Sequence, residues 1–324
     1  MKRIVPILFF VIICLDGVAQ VSELPKADSI AGLFPNHSLN DLNVLSQKLT
    51  APLKTDEGKF RAIYKWVCLN IENDYALAEV NLSKRSTLEG EELEAWSKQF
   101  TARAMHVLIT QHKTICTGYA YLVCELARRA GFKCEIVDGY GRGSTSNIRG
   151  KIFPNHSWNA VLLNGKWRLC DPTWSSGVVS AATKGFIQKF EECYFLPDPE
   201  LFVRNHYPLD KKWTLLDDPP SLEMFLNAPV IYANAFRYNV RPCSPEAFRV
   251  SASKGENVSF DLVSKGKRND VTVRFLVGNA IAQSRVPYCE GGYRVNHTFT
   301  RRGKFGVHFT VDNEYVASYE VTVR

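Results

Sequence analysis

The chain has no Cys-x-x-Cys pair and no His-x-x-x-His pair, so the common sequence frames for a structural zinc site are missing. It has one long apolar run, Ile4 to Leu15, which is too short to span a bilayer comfortably and has no second such segment behind it. It has no concentrated basic stripe. The formal net charge of +7 comes from residues scattered in short clusters such as Lys265, Lys267, Arg268 and Arg301, Arg302, the pattern of a solvated surface rather than of a nucleic-acid binder. A phosphate-binding turn is also missing, because no helix pattern follows the glycines of GYGRG (139–143), and that stretch reads as a flexible surface loop.

The apolar run follows Lys2 and Arg3 and precedes Gly17 and Ala19, the layout of a signal peptide cleaved after Ala19. Bulky Ile13 before Cys14 disfavours a lipidation site. The expectation is a protein exported to a periplasmic or extracellular space. Loss of residues 1–19 leaves eight cysteines in a compartment that permits disulfides, with their pairing left open.

With 324 residues and 45% apolar composition, the chain can build two domains, each with its own core. In EGKFRAIYKWVCLNIENDY (57–75), Phe60, Ile63, Tyr64, Val67 and Ile71 recur at helical spacing, with a polar opposite face. The polar stretch 83–99 leads into a second helical pattern at Ala104, Val107 and Leu108. Ala120, Val123, Ala127 and Ala130 mark a third helix, with Gly131 as its terminator, and KCEIVDGY reads as a strand. After Pro245 the pattern alternates every two residues, which predicts a β-sandwich over 245–324 behind a linker at 229–244. His297 and His308 stand singly on its strands and read as structural.

Asn164-Gly165 predicts a hairpin, here between strands 156–163 and 166–173. Alternation then puts His156, Trp158, Ala160 and Leu162 on one face with Trp167, Leu169, Asp171 and Thr173, and leaves Cys170 on the other. His156 and Asp171 become diagonal neighbours, roughly 7–8 Å apart at Cα, close enough for the carboxylate to accept an imidazole N–H. Such a pair either locks the hairpin as a buried, satisfied unit or frees the second ring nitrogen as a base. Cys116 opens the third helix, where unpaired N–H groups favour negative charge and hence a thiolate. The alternative is a small buried hydrophobe. Cys68, Cys124 and Cys134 read as buried thiols or as disulfide partners.

Three segments together resemble the transglutaminase-like superfamily: TICTGYAYLVCELARRAGFKCEIVDGY, NHSWNAVLLNGKWRLCDPTW and, pointing to the kyphoscoliosis-peptidase and cytokinesis-protein-3 branch, CYFLPDPELFVRNHYPLDKKWTLL. AIYKWVCLNIENDY is similar to the helix that precedes the core in that branch. The resemblance covers roughly residues 57–225. It implies an α+β papain-like core, with the nucleophile helix packed on an antiparallel sheet, over 20–228, followed by the immunoglobulin-like sandwich. It also implies a triad of Cys116 as nucleophile, His156 as base then acid, and Asp171 as orienter. The Cys116 backbone N–H and Gln111 are candidate oxyanion donors. Trp158 and Trp174 flank the triad, as core packing or as shields from water. Lys113, Thr114 and Ile115 stand where a glycine and a valine are frequent. No cofactor is implied and no metal is assigned. With no calcium loop of the kind animal cross-linkers use, hydrolysis of peptide or amide bonds in a protein or peptide substrate is the leading expectation. The alternatives are amine transfer, as in a protein cross-linker, or a non-catalytic module whose β domain binds an envelope partner.

Overall fold

Thr55 starts the central helix of the N-terminal half: its hydroxyl accepts the Gly58 N–H at 3.1 Å, and Asp56 and Glu57 occupy the first turn, where the helix dipole favours acids. The computed structural model describes residues 22–143, 146, 152–180, 183, 185–264, 271–289 and 291–324. The expected leader, the segment after Gly143 and the basic cluster at 265–268 lie outside the described residues. In chain order the first elements are α1 (Leu24–Gly32), α2 (Leu42–Thr50), α3 (Asp56–Asn70), β1 (Glu72–Asn73), α4 (Tyr75–Thr87), α5 (Gly90–Gln111), β2 (Lys113–Thr114) and α6 (Cys116–Arg129). There follow β3 (Cys134–Gly141), β4 (His156–Leu163), β5 (Lys166–Cys170), α7 (Pro172–Ser176), β6 (Gly177–Val179), β7 (Phe186–Gln188), α8 (Pro199–Phe202) and β8 (His206–Pro208).

Helix α3 buries its predicted stripe, Phe60, Ile63, Tyr64 and Val67, and Ile71 just beyond its end. The expected polar face is not polar in practice, since Arg61, Ala62 and Trp66 are buried as well. Arg61 is tolerated there because Asp28 and Glu192 both grip its guanidinium, at 2.5 Å each, and burying a charge costs heavily unless it is paired. The polar stretch 83–99 is helical, forming the end of α4 and the first half of α5. Its Glu, Lys, Ala and Leu residues favour helix intrinsically, while few of them are buried, so no apolar stripe announced it.

Strands β5-β4-β3-β8 form an antiparallel sheet in that order. The hairpin turn has positive φ at Asn164 (49°) and Gly165 (74°), and the register runs from Leu163 opposite Lys166 to Asn159 opposite Cys170. Strand β5 stops at Cys170 instead of reaching 173, because Pro172 has no N–H for the ladder and instead opens α7. Helix α6 shares a buried cluster with Val161, Leu163 and Cys170, and Asn159 Nδ2 donates to the Ala120 carbonyl at 2.9 Å. The opposite face packs Trp158, Ala160 and Leu169 against Tyr194 and Phe202. Gly139, Tyr140 and Gly141 belong to β3, not to a loop: a Cβ at Gly139 would lie 2.2 Å from the Tyr207 carbonyl oxygen, and one at Gly141 would lie 2.9 Å from His156 Cβ.

The C-terminal half is a two-sheet sandwich. One sheet orders Val240–Ser244, Asn257–Ser264, Gly292–Thr298 and Tyr288–Cys289. The other orders Arg249–Ala252, Glu314–Val323, Gly303–Val311, Val273–Val277 and Ala280–Gln283, with Phe260, Phe275, Phe309 and Tyr319 packed in the core. The stretch read as a linker supplies strands to both sheets: Val230 and Ile231 pair with Ser318 and Ala317, and Val240–Ser244 pairs with 261–264. His308 Nδ1 lies 2.6 Å from Ser318 Oγ, and His297 lies against Phe275 and Phe299. Among the described residues no helix is long and apolar enough to cross a membrane.

Gly118, in the first turn of α6, lets that helix close on β2. A Cβ there would sit 1.9 Å from Thr114 Oγ1 and 2.8 Å from Thr114 Cβ. Gly118→Ala should lower unfolding free energy by about 2 kcal/mol in a denaturant titration. Gly32→Ala, with nothing within 4 Å of the added carbon, should change it by less than about 0.5 kcal/mol.

Candidate active site

Cys116 is the first residue of α6, half-buried, at a position whose N–H has no partner within the helix. No side chain caps that end, as the residue before it is Ile115. His156 opens β4, and Asn155 fixes its approach by exchanging hydrogen bonds with Gly141: the Gly141 N–H donates to Asn155 Oδ1 at 2.8 Å, and Asn155 Nδ2 donates to the Gly141 carbonyl at 3.1 Å. The Cys116 thiol lies near enough to the His156 ring to help it hold its proton, and the ring places Nε2 2.8 Å from Asp171 Oδ2. Nε2 is thereby engaged, which leaves Nδ1 for the sulfur. The three residues separated by the chain as 116, 156 and 171 thus meet at the end of the sheet.

Asp171 is fully buried, yet no lone pair is wasted. Oδ1 accepts the Thr173 and Trp174 N–H groups at 2.8 and 3.2 Å, which makes it the N-cap of α7. Oδ2 accepts from His156 and, 3.0 Å away, from a second imidazole, His206 Nε2. His206 lies within an aromatic shell: stacked on Phe202 with ring centres 3.9 Å apart, 4.4 Å from Trp174 and 5.2 Å from Trp158. His206 lies in the tail segment 193–216, and nothing in its local sequence marks it as part of the site. Only the pairing of β8 with β3, which sets His206 opposite Gly141, brings it to Asp171, and no local spacing encodes that pairing.

Trp158 is buried in the core on the Phe202 side, whereas Trp174 is half-buried with its ring 5.1 Å from His156. Gln111 ends α5 and is exposed, with no hydrogen bond to the triad among the described residues. All eight described cysteines are thiols, and Cys124 and Cys134 bring their sulfurs within 2.9 Å of each other. His156, Asp171 and His206 lie close enough together to serve as metal ligands, but both imidazole nitrogens point at the same carboxylate oxygen at N–H···O distances. The donors are spent on one another, which makes this a hydrogen-bonded relay.

The burial that surrounds these groups acts differently on each. Burial alone would push His156 down, but the Asp171 charge and hydrogen bond, with the Cys116 contact, outweigh it and hold the imidazole up at about 10. Burial would raise Asp171, and its two imidazole partners instead keep it well below the usual carboxylate range. His206 has burial as its main influence, opposed by Asp171, and is held down to about 4.

The sequence model of the Transglutaminase-like superfamily matches residues 43–172, which include Cys116, His156 and Asp171. That stretch is a transglutaminase-like domain. Over 219 residues the chain is 34% identical to Kyphoscoliosis peptidase of Homo sapiens, covering 66% of this chain and 30% of that protein. It is 25% identical over 231 residues to Hillarin of Drosophila melanogaster, covering 67% and 26%. Cytokinesis protein 3 of Saccharomyces cerevisiae is 28% identical over 117 residues, covering 35% and 13%. The chain therefore spans less than a third of the length of these relatives. The matches to the kyphoscoliosis and cytokinesis proteins agree with the branch that the tail segment indicated.

The two histidines that meet at Asp171 give opposite limbs to stability against pH. Unfolded histidine titrates at 6.5 and folded His206 at about 4, so the unfolded chain binds the extra proton between them and stability falls as pH drops through that window. Folded His156 binds its proton up to about 10, so its contribution is complete below 6.5 and is lost as pH rises toward 10. Denaturant midpoints measured from pH 4 to 10 should peak near 6.5, and the acid limb should flatten in His206→Phe.

Proposed function

We propose that this chain is an exported cysteine-dependent acyl-transfer enzyme, a peptidase or amidase that hydrolyses peptide or amide bonds through a thioester on Cys116. The observation that carries this reading is a His156 ring held by Asp171 through Nε2, with the Cys116 thiol close enough to act on its proton. The peptidase name of one relative supports the same class of reaction.

The geometry suits a two-step displacement. His156, which holds its proton up to about 10, takes the Cys116 proton before the attack; Sγ then adds to the carbonyl carbon as a thiolate, and the carbonyl oxygen takes up negative charge. The Cys116 backbone N–H, at the uncapped start of α6, is the donor assigned to that charge. Collapse expels the amine, which leaves with the proton from His156, and a thioester remains. Water then attacks with His156 as base, and collapse releases the acid and the Cys116 sulfur, which leaves as a thiolate beside the reprotonated His156. Asp171 keeps one tautomer and one orientation throughout.

Iodoacetamide should label Cys116 of the folded protein selectively near neutral pH, and His156→Ala should slow the labelling at least tenfold, on the order of one lost charge-assisted hydrogen bond. Labelling of Cys116 only after denaturation would sink the reading. In Asp171→Asn the amide oxygen can still cap α7 while the imidazole tautomer is wrong. That variant should fold, yet hydrolysis of an amide substrate should drop by roughly 10³–10⁴. Loss of stability with unchanged turnover would assign the His156–Asp171 pair to folding alone.

A further inference from the structure

His206 and its neighbour Asn205 extend the site beyond the three residues of the reaction above. An ionised carboxylate only accepts, so the His206 Nε2 that faces Asp171 Oδ2 at 3.0 Å carries a hydrogen. The other nitrogen, Nδ1, lies 2.6 Å from Asn205 Oδ1. In a neutral ring that places two acceptors against each other, while Asn205 Nδ2 is buried without any partner. Turning the Asn205 amide over removes the clash of acceptors, since Nδ2 then donates to Nδ1 and the carbonyl oxygen, which tolerates a missing partner better than an N–H does, takes the unpartnered place. The alternative, a doubly protonated ring, would bury a cation among Phe202, Trp158 and Trp174. The titratable groups that face the ring are Asp171 from the start of α7, His156 from β4 and the Tyr194 hydroxyl beside Asn205.

We propose that His206, held as a neutral imidazole by Asn205, is a positioning residue that donates a second N–H to Asp171 and, by sharing the carboxylate charge, keeps His156 able to return its proton to the leaving amine. A histidine clamped by an undivided buried carboxylate accepts a proton readily but surrenders it slowly, and the cycle requires both transfers. The second donor divides the attraction of Oδ2 between two rings and fixes the rotamer of Asp171. The relay then runs Asn205, His206, Asp171, His156, Cys116, with only the last two touching the reacting atoms.

This rests on the acyl-transfer reading, and the two can fail separately. Full-length wild type, His206→Phe and His206→Gln would be compared. Phenylalanine keeps the stack on Phe202 and removes the donor, whereas glutamine restores an N–H near the position of Nε2. The His156 ring proton, followed by NMR as pH is varied, should titrate about one unit higher in His206→Phe and return close to wild type in His206→Gln. Circular dichroism of each variant confirms that it is folded; if His206→Phe does not fold, His206→Leu, which also lacks the donor, reads the same shift against His206→Gln. An unchanged His156 titration in the folded donor-less variant, or equal shifts with Phe and Gln, overturns the positioning role. Wild-type Cys116 that iodoacetamide reaches only after denaturation overturns the acyl-transfer reading instead, whatever His156 does.

Discussion

A carboxylate with no exposed surface, Asp171, is the constraint around which the N-terminal half is arranged. A buried charge survives only where every lone pair finds a donor, and the fold supplies those donors from separate elements. The first turn of α7 gives two backbone N–H groups, β4 gives one imidazole and β8 gives another. The backbone of the same residue is held too. Its N–H donates to the Tyr194 carbonyl at 3.1 Å, and the Tyr64 hydroxyl of α3 donates to its carbonyl at 2.8 Å. Folding and chemistry use different oxygens of one side chain, Oδ1 for the helix and Oδ2 for the rings.

The anchoring reaches outward through α3. Arg61, on the same helix as Tyr64, joins Asp28 of α1 to Glu192, two residues before Tyr194. The N-terminal helices thus brace the segment that receives the Asp171 N–H. Phe60, Tyr64, Phe190 and Phe195 fill the space between, with the Arg61 guanidinium 4.7 Å from the Phe195 ring centre. The paired guanidinium is pushed further above its ordinary range, so it stays charged within this apolar layer.

Much of this was legible in the sequence because it depends on short-range rules. Asn164-Gly165 gave the register, and the register gave the approach of His156 to Asp171. The end of β5 was misplaced, since proline after aspartate can continue an extended chain or cap a helix, and only packing decides. The helices over 83–111 were missed in part because solvated helices leave no stripe. His206 was out of reach for a different reason. Its partner lies 35 residues away and is met only through a sheet edge that three residues form. The glycines of GYGRG looked like a loop because close approach and turn formation use the same residue type.

Val230–Ile231 and Val240–Ser244, inside the stretch that reads as a linker, are strands of the sandwich. Val230 and Ile231 lie along the long strand Glu314–Val323, and Val240–Ser244 closes one edge of the other sheet. A cut placed at the apparent composition boundary near Pro245 would uncover open ladder positions in both sheets, the kind of surface that recruits other chains. Division of the molecule for separate expression is compatible with this architecture only upstream of Val230. The two halves also remain clasped by Arg237, which reaches Glu191 on one side and Glu314 on the other, so motion between them must first release that clasp.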